Sequence, residues 1–404
     1  MQKLIIFLLA ITLVSCETQQ HAKLMHGHYR AIMDVQDNQL LPFNFKISTD
    51  DKIEIYNAEE VIEVTDIIYY NDSVRINFPV YEGYIVGEFD NGKVLNGKYI
   101  KESLDRVVPV YFEYDVDERF KDVGKATANV SGIWEMLFTE DDGKTFIARG
   151  NFKQDGNKVT GNIRTTTGDY RYLEGVLDGN ILKYSVFDGA HAFLFTAEVT
   201  NDQMSNGVFY SGNHYKATYE AKRNAAYQLP NENSLTFLKE GFDAIEFGFP
   251  DVDGNMVSLS DERFKDKVVL VQIMGTWCPN CLDESRYYAE QYNTLKDKGV
   301  EIIALAFEYA KTENKAFHAI KRLQDNVGID YPILLAQHGS SSKQLANEKL
   351  PMLNHVLSYP TTIYIDKKGK VRKIHTGFNG PATGEKYISF QKEFTEFVDV
   401  LVAE

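Results

Sequence analysis

Two different hydrophobic patterns divide the chain. From about residue 24 to residue 222, short runs rich in Tyr, Phe, Ile and Val alternate with polar positions, most clearly at residues 74–78 and 193–199. An alternation with a period of two places every second side chain on one face of a β-strand, so that this face can be buried. The pattern predicts an all-β amino-terminal region built from antiparallel sheet.

Turn signals separate these hydrophobic runs. Asn-Gly and Asp-Gly pairs favour the left-handed backbone conformations of tight hairpins. Such pairs lie at Asn91-Gly92, Asn96-Gly97, Asp142-Gly143, Asp178-Gly179 and Asn206-Gly207, and Gly156 has a similar setting. The sequence therefore predicts a hairpin turn at each of these positions.

The β-rich region also contains a weak internal repeat. Residues 27–30 resemble residues 132–135, and residues 81–83 resemble residues 187–189, at offsets of roughly 105 to 110 residues. We therefore predict two tandem antiparallel β units. Their boundaries are residues 24–122 and residues 123–223. A single larger sandwich or barrel is the alternative.

A second architecture follows a change of pattern. Residues 224–240 lose the alternation and contain Pro230 among polar residues, which indicates a linker. Residues 241–404 then alternate strand-like and helix-like patterns. Strands are predicted within residues 249–259, 268–273, 300–307, 333–335, 361–366 and 371–375, helices at 285–296 and 312–326, and a final helix with the apolar stripe Phe390, Phe394, Phe397, Val398 and Leu401. This order predicts an α/β domain with a central mixed sheet.

The composition fits a multidomain globular protein. The chain has 404 residues, of which 44% are hydrophobic and 25% charged. That length accommodates two or three domains. The net charge of −15 repels phosphate backbones, so we expect no nucleic-acid partner.

The amino terminus has the pattern of an export signal. Lys3 precedes an apolar run at residues 4–13, which is shorter than the ~20 residues that span a bilayer. The run ends in Leu13-Val14-Ser15-Cys16, which resembles the bacterial lipobox. We therefore predict a lipoprotein signal peptide at residues 1–15 and a tether at residues 16–23. The alternative is a plain signal peptide with an incidental cysteine.

The lipobox resemblance predicts a location and one partner. It implies lipid attachment at Cys16, a membrane partner held through that lipid anchor, and a protein that faces the periplasm of a bacterial cell envelope, at the inner or the outer membrane. It also assigns one of the three cysteines to the lipid, which leaves Cys278 and Cys281. The chain then has no cysteine pair for a structural disulfide framework, and the remaining pair points to reactivity.

Cys278 and Cys281 form a Cys-Pro-Asn-Cys motif between a predicted strand and a predicted helix. Backbone N–H groups at a helix amino terminus stabilise a thiolate, so Cys278 is predicted to be the attacking sulfur. Cys281 lies one turn along the helix and is predicted to be the more buried, resolving thiol. Such chemistry needs no cofactor. A zinc half-site is disfavoured because the sequence has no second Cys-x-x-Cys pair.

The motif and its surroundings resemble a known family. Gly275-Thr276-Trp277-Cys278-Pro279-Asn280-Cys281, preceded by residues 267–271 and followed by residues 359–366, is similar to the thioredoxin superfamily and nearest to its TlpA/ResA-type membrane-tethered thiol-disulfide oxidoreductases. The resemblance covers residues 241–404 and implies a thioredoxin-like fold there. It does not include the β-rich region, whose role the sequence leaves open.

The resemblance also implies roles for individual residues. Trp277 belongs to the catalytic motif, and Pro360 would be a cis-proline that packs beside the redox pair. Gln272 replaces the buried acid of thioredoxin itself. Glu284 matches an acidic residue of ResA-type proteins and would relay protons or tune Cys281; the alternative is a solvated helix glutamate.

The function implied by the resemblance is a protein thiol-disulfide oxidoreductase. Its partners would be disulfide-containing protein substrates and a membrane thiol donor that recharges it, and we favour reductase over oxidase. One alternative is a binding or assembly lipoprotein whose β-rich region is the functional part. Another is a thiol oxidase, an isomerase or a peroxide-linked variant of the same fold.

Overall fold

The computed structural model describes residues 23–404. The predicted signal peptide at residues 1–15, the lipid site Cys16 and all but the last residue of the predicted tether lie outside the described residues. Within residues 23–404, no helix is long and apolar enough to cross a membrane.

The first β-rich unit is one nine-stranded antiparallel sheet. Its strands are β1 (Gly27–Asp34), β2 (Leu40–Ile47), β3 (Ile53–Asn57), β4 (Glu60–Val64), β5 (Asp66–Tyr70), β6 (Ser73–Asn77), β7 (Tyr84–Asp90), β8 (Val94–Lys101) and β9 (Arg106–Tyr114). Their order in the sheet is β4-β3-β2-β1-β9-β8-β7-β6-β5. Alternate residues are buried, as the two-residue period requires: on β2 these include Phe43, Phe45 and Ile47.

The second β-rich unit is an antiparallel sheet that closes on itself. Its strands are β10 (Gly132–Glu140), β11 (Thr145–Asp155), β12 (Lys158–Thr165), β13 (Gly168–Asp169), β14 (Leu173–Asp178), β15 (Ile181–Phe187), β16 (Ala192–Val199), β17 (Gln203–Ser211) and β18 (Tyr215–Arg223). The order is β11-β10-β18-β17-β16-β15-β14-β12-β13, and β11 also pairs with β12, which completes the circuit. Trp134, Phe138 and Tyr219 fill its separate apolar interior.

The two units share a starting point but differ in form. Gly27 and Gly132 each open the first strand of their unit with a positive φ, and Tyr29 and Trp134, two residues later, are both fully buried. The weak repeat therefore corresponds to equivalent strand starts. The second sheet closes and the first does not.

Two of the predicted hairpin turns are wrong. Asn96-Gly97 lies inside β8 and Asn206-Gly207 lies inside β17. Gly97 pairs directly with Gly87, and a Cβ on Gly97 would lie 2.6 Å from the Val86 carbonyl oxygen, so close strand approach explains the glycine. The pairing of β17 with β18 shifts register between Met204 and Gly207, as at a β-bulge.

The carboxyl-terminal region is an α/β domain, which confirms the predicted fold class. Its elements are β19 (Gly248–Pro250), β20 (Met256–Ser258), β21 (Val268–Met274), α1 (Pro279–Asp297), β22 (Val300–Phe307), α2 (Glu313–Val327), β23 (Ile333–Gln337), α3 (Lys343–Lys349), β24 (Thr361–Ile365), β25 (Val371–Thr376) and α4 (Glu385–Ala403). Short 3-10 helices lie at Gln36–Asn38, Glu102–Leu104, Glu262–Phe264 and Pro381–Thr383. The central sheet has the order β23-β22-β21-β24-β25. Strands β21, β22 and β23 are parallel to one another, β24 pairs antiparallel with β21, and β25 pairs antiparallel with β24.

The three regions pack against one another. Buried apolar side chains form one continuous core from the first sheet into the α/β domain. The segment predicted as a linker lies along the α/β domain: the Lys239 N–H donates to the Met352 carbonyl at 2.8 Å, and His355 contacts the Leu235 carbonyl at 3.0 Å. The β-rich units therefore have fixed positions beside the α/β domain.

Candidate active site

The two cysteines lie where a buried strand passes into a helix. β21 ends at Met274, and Cys278 is the N-cap residue of α1, with Pro279 as the first helical residue. The Cys281 N–H donates to the Cys278 Sγ at 3.3 Å, so the helix terminus binds this sulfur directly. The Cys278 thiol also lies 3.4 Å from the Tyr359 carbonyl oxygen.

Burial distinguishes the two thiols. Cys278 is 7% exposed and Cys281 is fully buried; both are free. Burial raises the pKa of the Cys281 thiol well above its usual range, and contact with Cys278 and the charge of Glu284 raise it further. Cys281 therefore needs a proton acceptor before it can act as a nucleophile.

Glu284 is buried beneath the cysteine pair, one helical turn after Cys281. Its side chain is fully buried, so the solvated-glutamate alternative is wrong. Its carboxylate accepts hydrogen bonds from Gln272 at 2.8 Å, Thr362 at 2.9 Å and Tyr288 at 3.1 Å. Burial raises the pKa of Glu284 to about 7, against the opposing effect of these three donors. A carboxyl group with such a pKa exchanges protons near neutral pH.

Pro360 and Trp277 form the rim beside Cys278. The Tyr359–Pro360 peptide bond is cis and immediately precedes β24. The Trp277 indole N–H donates to the Phe307 carbonyl at 3.0 Å, and its ring contacts the rings of Tyr359 and Tyr309. The structure thus brings together Trp277, Cys278, Cys281, Glu284 and Pro360, the residues singled out in the sequence.

Glu308 is a second buried carboxyl group at this site, and sequence reasoning missed it. It accepts hydrogen bonds from the Thr276 N–H at 2.8 Å and the Thr276 hydroxyl at 2.7 Å. Burial raises its pKa to about 7. A signal was present: β21 and β22 are parallel, so the residue after β22 lies at the same sheet edge as the loop after β21.

The second β unit reaches the redox centre through the turn between β12 and β13. The Thr167 carbonyl accepts a hydrogen bond from Ser358 at 2.8 Å, beside the cis-proline. The Asp169 carbonyl accepts one from Asn280 at 3.2 Å, between the cysteines. A Cβ on Gly168 would lie 2.0 Å from the Asn280 amide nitrogen, so the approach requires glycine. The segment from Thr167 to Asp169 therefore contacts both the cis-proline segment and Asn280 between the two cysteines.

A buried charge cluster joins all three regions near α1. The Arg171 guanidinium, in the second unit, donates to Asp283 of α1 at 2.6 Å and to Glu60 of the first sheet. Its Nε lies 3.7 Å from Asp188. Asp283 is two residues after Cys281, so the cluster fixes the cysteine-bearing helix against both β units.

A cavity of about 490 Å³ opens between the three regions and extends to Trp277, the residue before Cys278. We call it the interdomain cleft; it is lined by Lys101, Leu104 and Arg106 of the first unit, by Glu140, Phe146, Thr165, Thr166, Thr167, Tyr170, His191, Phe193, Phe209, Ser211, His214 and Tyr215 of the second, and by Trp277, Tyr309, Ser341 and Lys343 of the α/β domain. Its volume is in the range of ~300–1,000 Å³ that is usual for ligand pockets. The β-rich units thus form most of one wall of the space in front of Trp277.

The fold and this site define a thioredoxin-like dithiol oxidoreductase. The Redoxin family model matches residues 239–387. The thiol-disulfide oxidoreductase ResA of Bacillus subtilis (strain 168) is 33% identical over 140 residues, which cover 35% of this chain and 69% of that protein. ResA of Bacillus thuringiensis subsp. konkukian (strain 97-27) is 31% identical over 158 residues, covering 39% and 80%. The chain belongs to the ResA family of thiol-disulfide oxidoreductases.

The solved structure of a thiol-disulfide oxidoreductase from Bacteroides fragilis NCTC 9343 is similar to part of this chain. The match covers 37% of this chain and 99% of that protein, with 19% sequence identity and a TM-score of 0.27.

Proposed function

We propose that this protein is a membrane-anchored, extracytoplasmic reductase of protein disulfides that acts through Cys278 and Cys281. The observation that carries the proposal is the position of Cys278 at the N-cap of α1, with its Sγ bound by the Cys281 N–H and the cis-proline segment beside it. Family membership supports the same dithiol chemistry.

The proposed reaction has two exchange steps. The Cys278 thiolate attacks one sulfur of the substrate disulfide, a mixed disulfide forms, and the other substrate sulfur leaves as a thiolate that takes up a proton. Cys281 then loses its proton and attacks the Cys278 sulfur. The second substrate thiolate leaves, and a Cys278–Cys281 disulfide remains. Two electrons pass from the enzyme dithiol to the substrate.

Glu284 is the proposed proton acceptor for the second step. Cys281 is fully buried, and its raised pKa keeps it protonated at neutral pH. Glu284 is buried one turn away with a pKa of about 7, so it changes protonation state in the range in which the enzyme would work. We propose that it receives the Cys281 proton as the mixed disulfide is resolved.

The proposed location comes from the amino terminus. Cleavage before Cys16 and its acylation would attach the protein to a membrane of the bacterial envelope, facing the periplasm. Because that compartment is oxidising, repeated turnover needs a membrane thiol donor that reduces the Cys278–Cys281 disulfide. Deletion of the gene should then lead to accumulation of disulfides in the protein's substrates.

Covalent trapping tests the assignment of the two cysteines. A Cys281→Ser variant should accumulate mixed disulfides with envelope proteins, because the second exchange step is blocked. The products are measured on non-reducing gels and identified after release with dithiothreitol. A Cys278→Ser variant is the matched control and should trap nothing. Equal trapping by both variants would overturn the assigned roles.

The direction of electron flow needs a separate measurement. The full-length dithiol enzyme is mixed with a neutral peptide that contains one disulfide, and free peptide thiols are counted. Reduction of about one disulfide per enzyme chain is expected without an added reductant. If the oxidised enzyme instead forms disulfides in a dithiol peptide while the reduced enzyme leaves the disulfide peptide intact, the protein is an oxidase.

A further inference from the structure

We propose that the interdomain cleft binds an acidic peptide segment of the disulfide substrate, next to the cysteine that Cys278 attacks. The inference rests on the proposed function and specifies its substrate class. It gives the β-rich region a role in substrate recognition, because this region supplies two of the three cations that would bind the segment.

The cleft is positive although the chain as a whole has a net charge of −15. Lys101, Arg106 and Lys343 line it, against one carboxylate, Glu140, which already accepts a hydrogen bond from Tyr215 at 2.7 Å. A surplus of cations at a concave site attracts anionic ligands.

These three cations have no carboxylate partner in the described part of the chain. Lys101 is only 7% exposed, and its amine donates a hydrogen bond to the Ala190 carbonyl. The charges of Asp188 and Glu82 attract it without forming an ion pair. The side chains of Arg106 and Lys343 form neither a hydrogen bond nor an ion pair within residues 23–404. Of the three, Lys101 is buried, Arg106 is half-buried and Lys343 is exposed. For Lys101 the lack of an ion pair is costly, because a buried charge without a counter-ion is destabilising. A carboxylate in the cleft would compensate these charges.

The electrostatic state of neighbouring groups agrees with this arrangement. Burial lowers the pKa of Lys101 to about 8, so its amine stays mainly protonated at pH 7. The pKa of His214 is lowered to about 4, first by burial and then by the positive charges of Arg106 and Lys101. His214 is therefore neutral at pH 7, and the positive field in the cleft comes from the lysines and the arginine.

The cleft extends to the residue next to the reacting cysteine. Trp277, the residue before Cys278, forms part of its lining, and so does Lys343. Desolvation lowers the pKa of Lys343, while the negative charge of Cys278 acts in the opposite direction, which places the amine within electrostatic range of the thiolate. A carboxylate held at Lys343 and Arg106 would therefore lie beside a disulfide positioned for attack.

Aromatic walls favour a peptide as the occupant. Phe193 and Phe209, in edge-to-face contact, belong to the second unit, and Trp277 and Tyr309 face the cleft from the α/β domain. Such rings pack against the backbone and side chains of an extended segment, while the cations select its charge.

The test compares matched peptides that differ only in charge. Each contains one disulfide flanked by Glu, Gln or Lys at the same positions, and the rate constant for reduction by the full-length dithiol enzyme is measured. The Glu peptide should react roughly tenfold faster than the Gln peptide at low salt, and the ratio should fall as salt rises. Equal rates for the Glu and Gln peptides would overturn the inference.

Variants connect the preference to the cleft. Arg106→Gln should reduce the Glu/Gln rate ratio by about threefold or more, and Arg106→Lys should restore most of it. Lys343→Gln should also lower the Glu/Gln rate ratio. Because both peptides are measured with the same variant, a change in Cys278 reactivity alters both rates equally and leaves their ratio unchanged. Lys368→Gln, an exposed lysine in the turn between β24 and β25, is the matched control and should leave the ratio unchanged. An equal loss in the control would overturn the inference.

Three outcomes separate the proposed function from the proposed acidic segment. If the enzyme reduces none of the peptides, including the neutral one, the proposed function fails. If the charge preference and its dependence on Arg106 occur with a small carboxylate-bearing disulfide, oxidised glutathione, but not with the peptides, the assignment of a peptide is overturned. Reduction of the neutral peptide without any charge preference leaves the proposed function intact and rejects only the acidic segment.

Discussion

Replacing Glu284 with Gln should remove a large pH-dependent part of the free energy of unfolding. Glu284 is fully buried, and burial raises its pKa to about 7 from an ordinary value of 4.5. Between these two pH values the folded protein holds a proton that the unfolded chain has released. The contribution of Glu284 to the free energy of unfolding therefore falls as pH rises from 4.5 to 7 and is constant above that range.

The magnitude follows from the two pKa values. The difference of about 2.5 pH units, at ~1.4 kcal/mol per unit, corresponds to roughly 3–4 kcal/mol, of which ~2–3 kcal/mol is lost between pH 5 and pH 8. Glu284→Gln cannot titrate. Its side-chain oxygen still accepts from Thr362 and Tyr288, while the bond from Gln272 is lost, which adds a constant offset of ~1 kcal/mol at every pH.

The assay is urea unfolding of wild type and variant at several pH values from 5 to 8, followed by circular dichroism and tryptophan fluorescence. Relative to wild type, the free energy of unfolding of the variant should rise by ~2–3 kcal/mol from pH 5 to pH 8. Glu290→Gln, an exposed glutamate on the same helix, is the matched control and should follow wild type. Titration of Glu308 changes the free energy of unfolding equally in all three proteins, so it cancels in the differences between them. If the difference between wild type and Glu284→Gln stays constant from pH 5 to pH 8, the argument for a raised Glu284 pKa is refuted.

Two other substitutions test the surroundings of the dithiol. Arg171→Met should lower the free energy of unfolding, measured in urea, by ~3–5 kcal/mol, because buried carboxylates lose their cation. Arg286→Met removes an exposed partner of Asp283 and should lower it by less than ~1 kcal/mol. Equal losses would contradict the buried-cluster argument. Glu308→Ala should slow the reduction of a peptide disulfide, because Thr276 loses both hydrogen bonds that hold the loop before Cys278. Glu348→Ala, at an exposed position, is the control. An unchanged rate for Glu308→Ala would show that this loop needs no such support.

The parts of the fold and site that sequence predicts are those with local signals. The cysteine motif lies between a predicted strand and a predicted helix, and this order places Cys278 at a helix amino terminus, as the structure has it. The apolar pattern is wrong about the helix start: it predicts a helix from residue 285, whereas α1 begins at Pro279. The strand predicted at residues 300–307 coincides with β22, whose apolar residues are interrupted only by Glu301 and suit a strand buried on both faces. Pro360 could be assigned only by resemblance, since nothing in its immediate sequence places it beside residues about 80 positions earlier.

The residues that sequence reasoning missed depend on contacts between distant positions. Arg171 and Asp283 are 112 residues apart, and neither has a local pattern that distinguishes it from a surface charge. Gly97 shows the opposite case: its local signal predicts a turn, but cross-strand contact with Gly87 explains it. Local sequence propensity shows which backbone conformations a residue can adopt, and the strand register determines which of them occurs in the folded sheet.

The contacts of Arg171 determine how the β-rich region affects the chemistry. One buried guanidinium binds Glu60 of the first sheet and Asp283 of the cysteine-bearing helix, while itself belonging to the second unit. Displacing any of the three regions would separate buried charges, at a cost of ~3–5 kcal/mol. The walls of the interdomain cleft are therefore rigid relative to Cys278. On the proposal that the cleft binds the substrate, the substrate would have to fit a preformed space in front of Trp277, and its shape and charge would be selected before the first sulfur exchange.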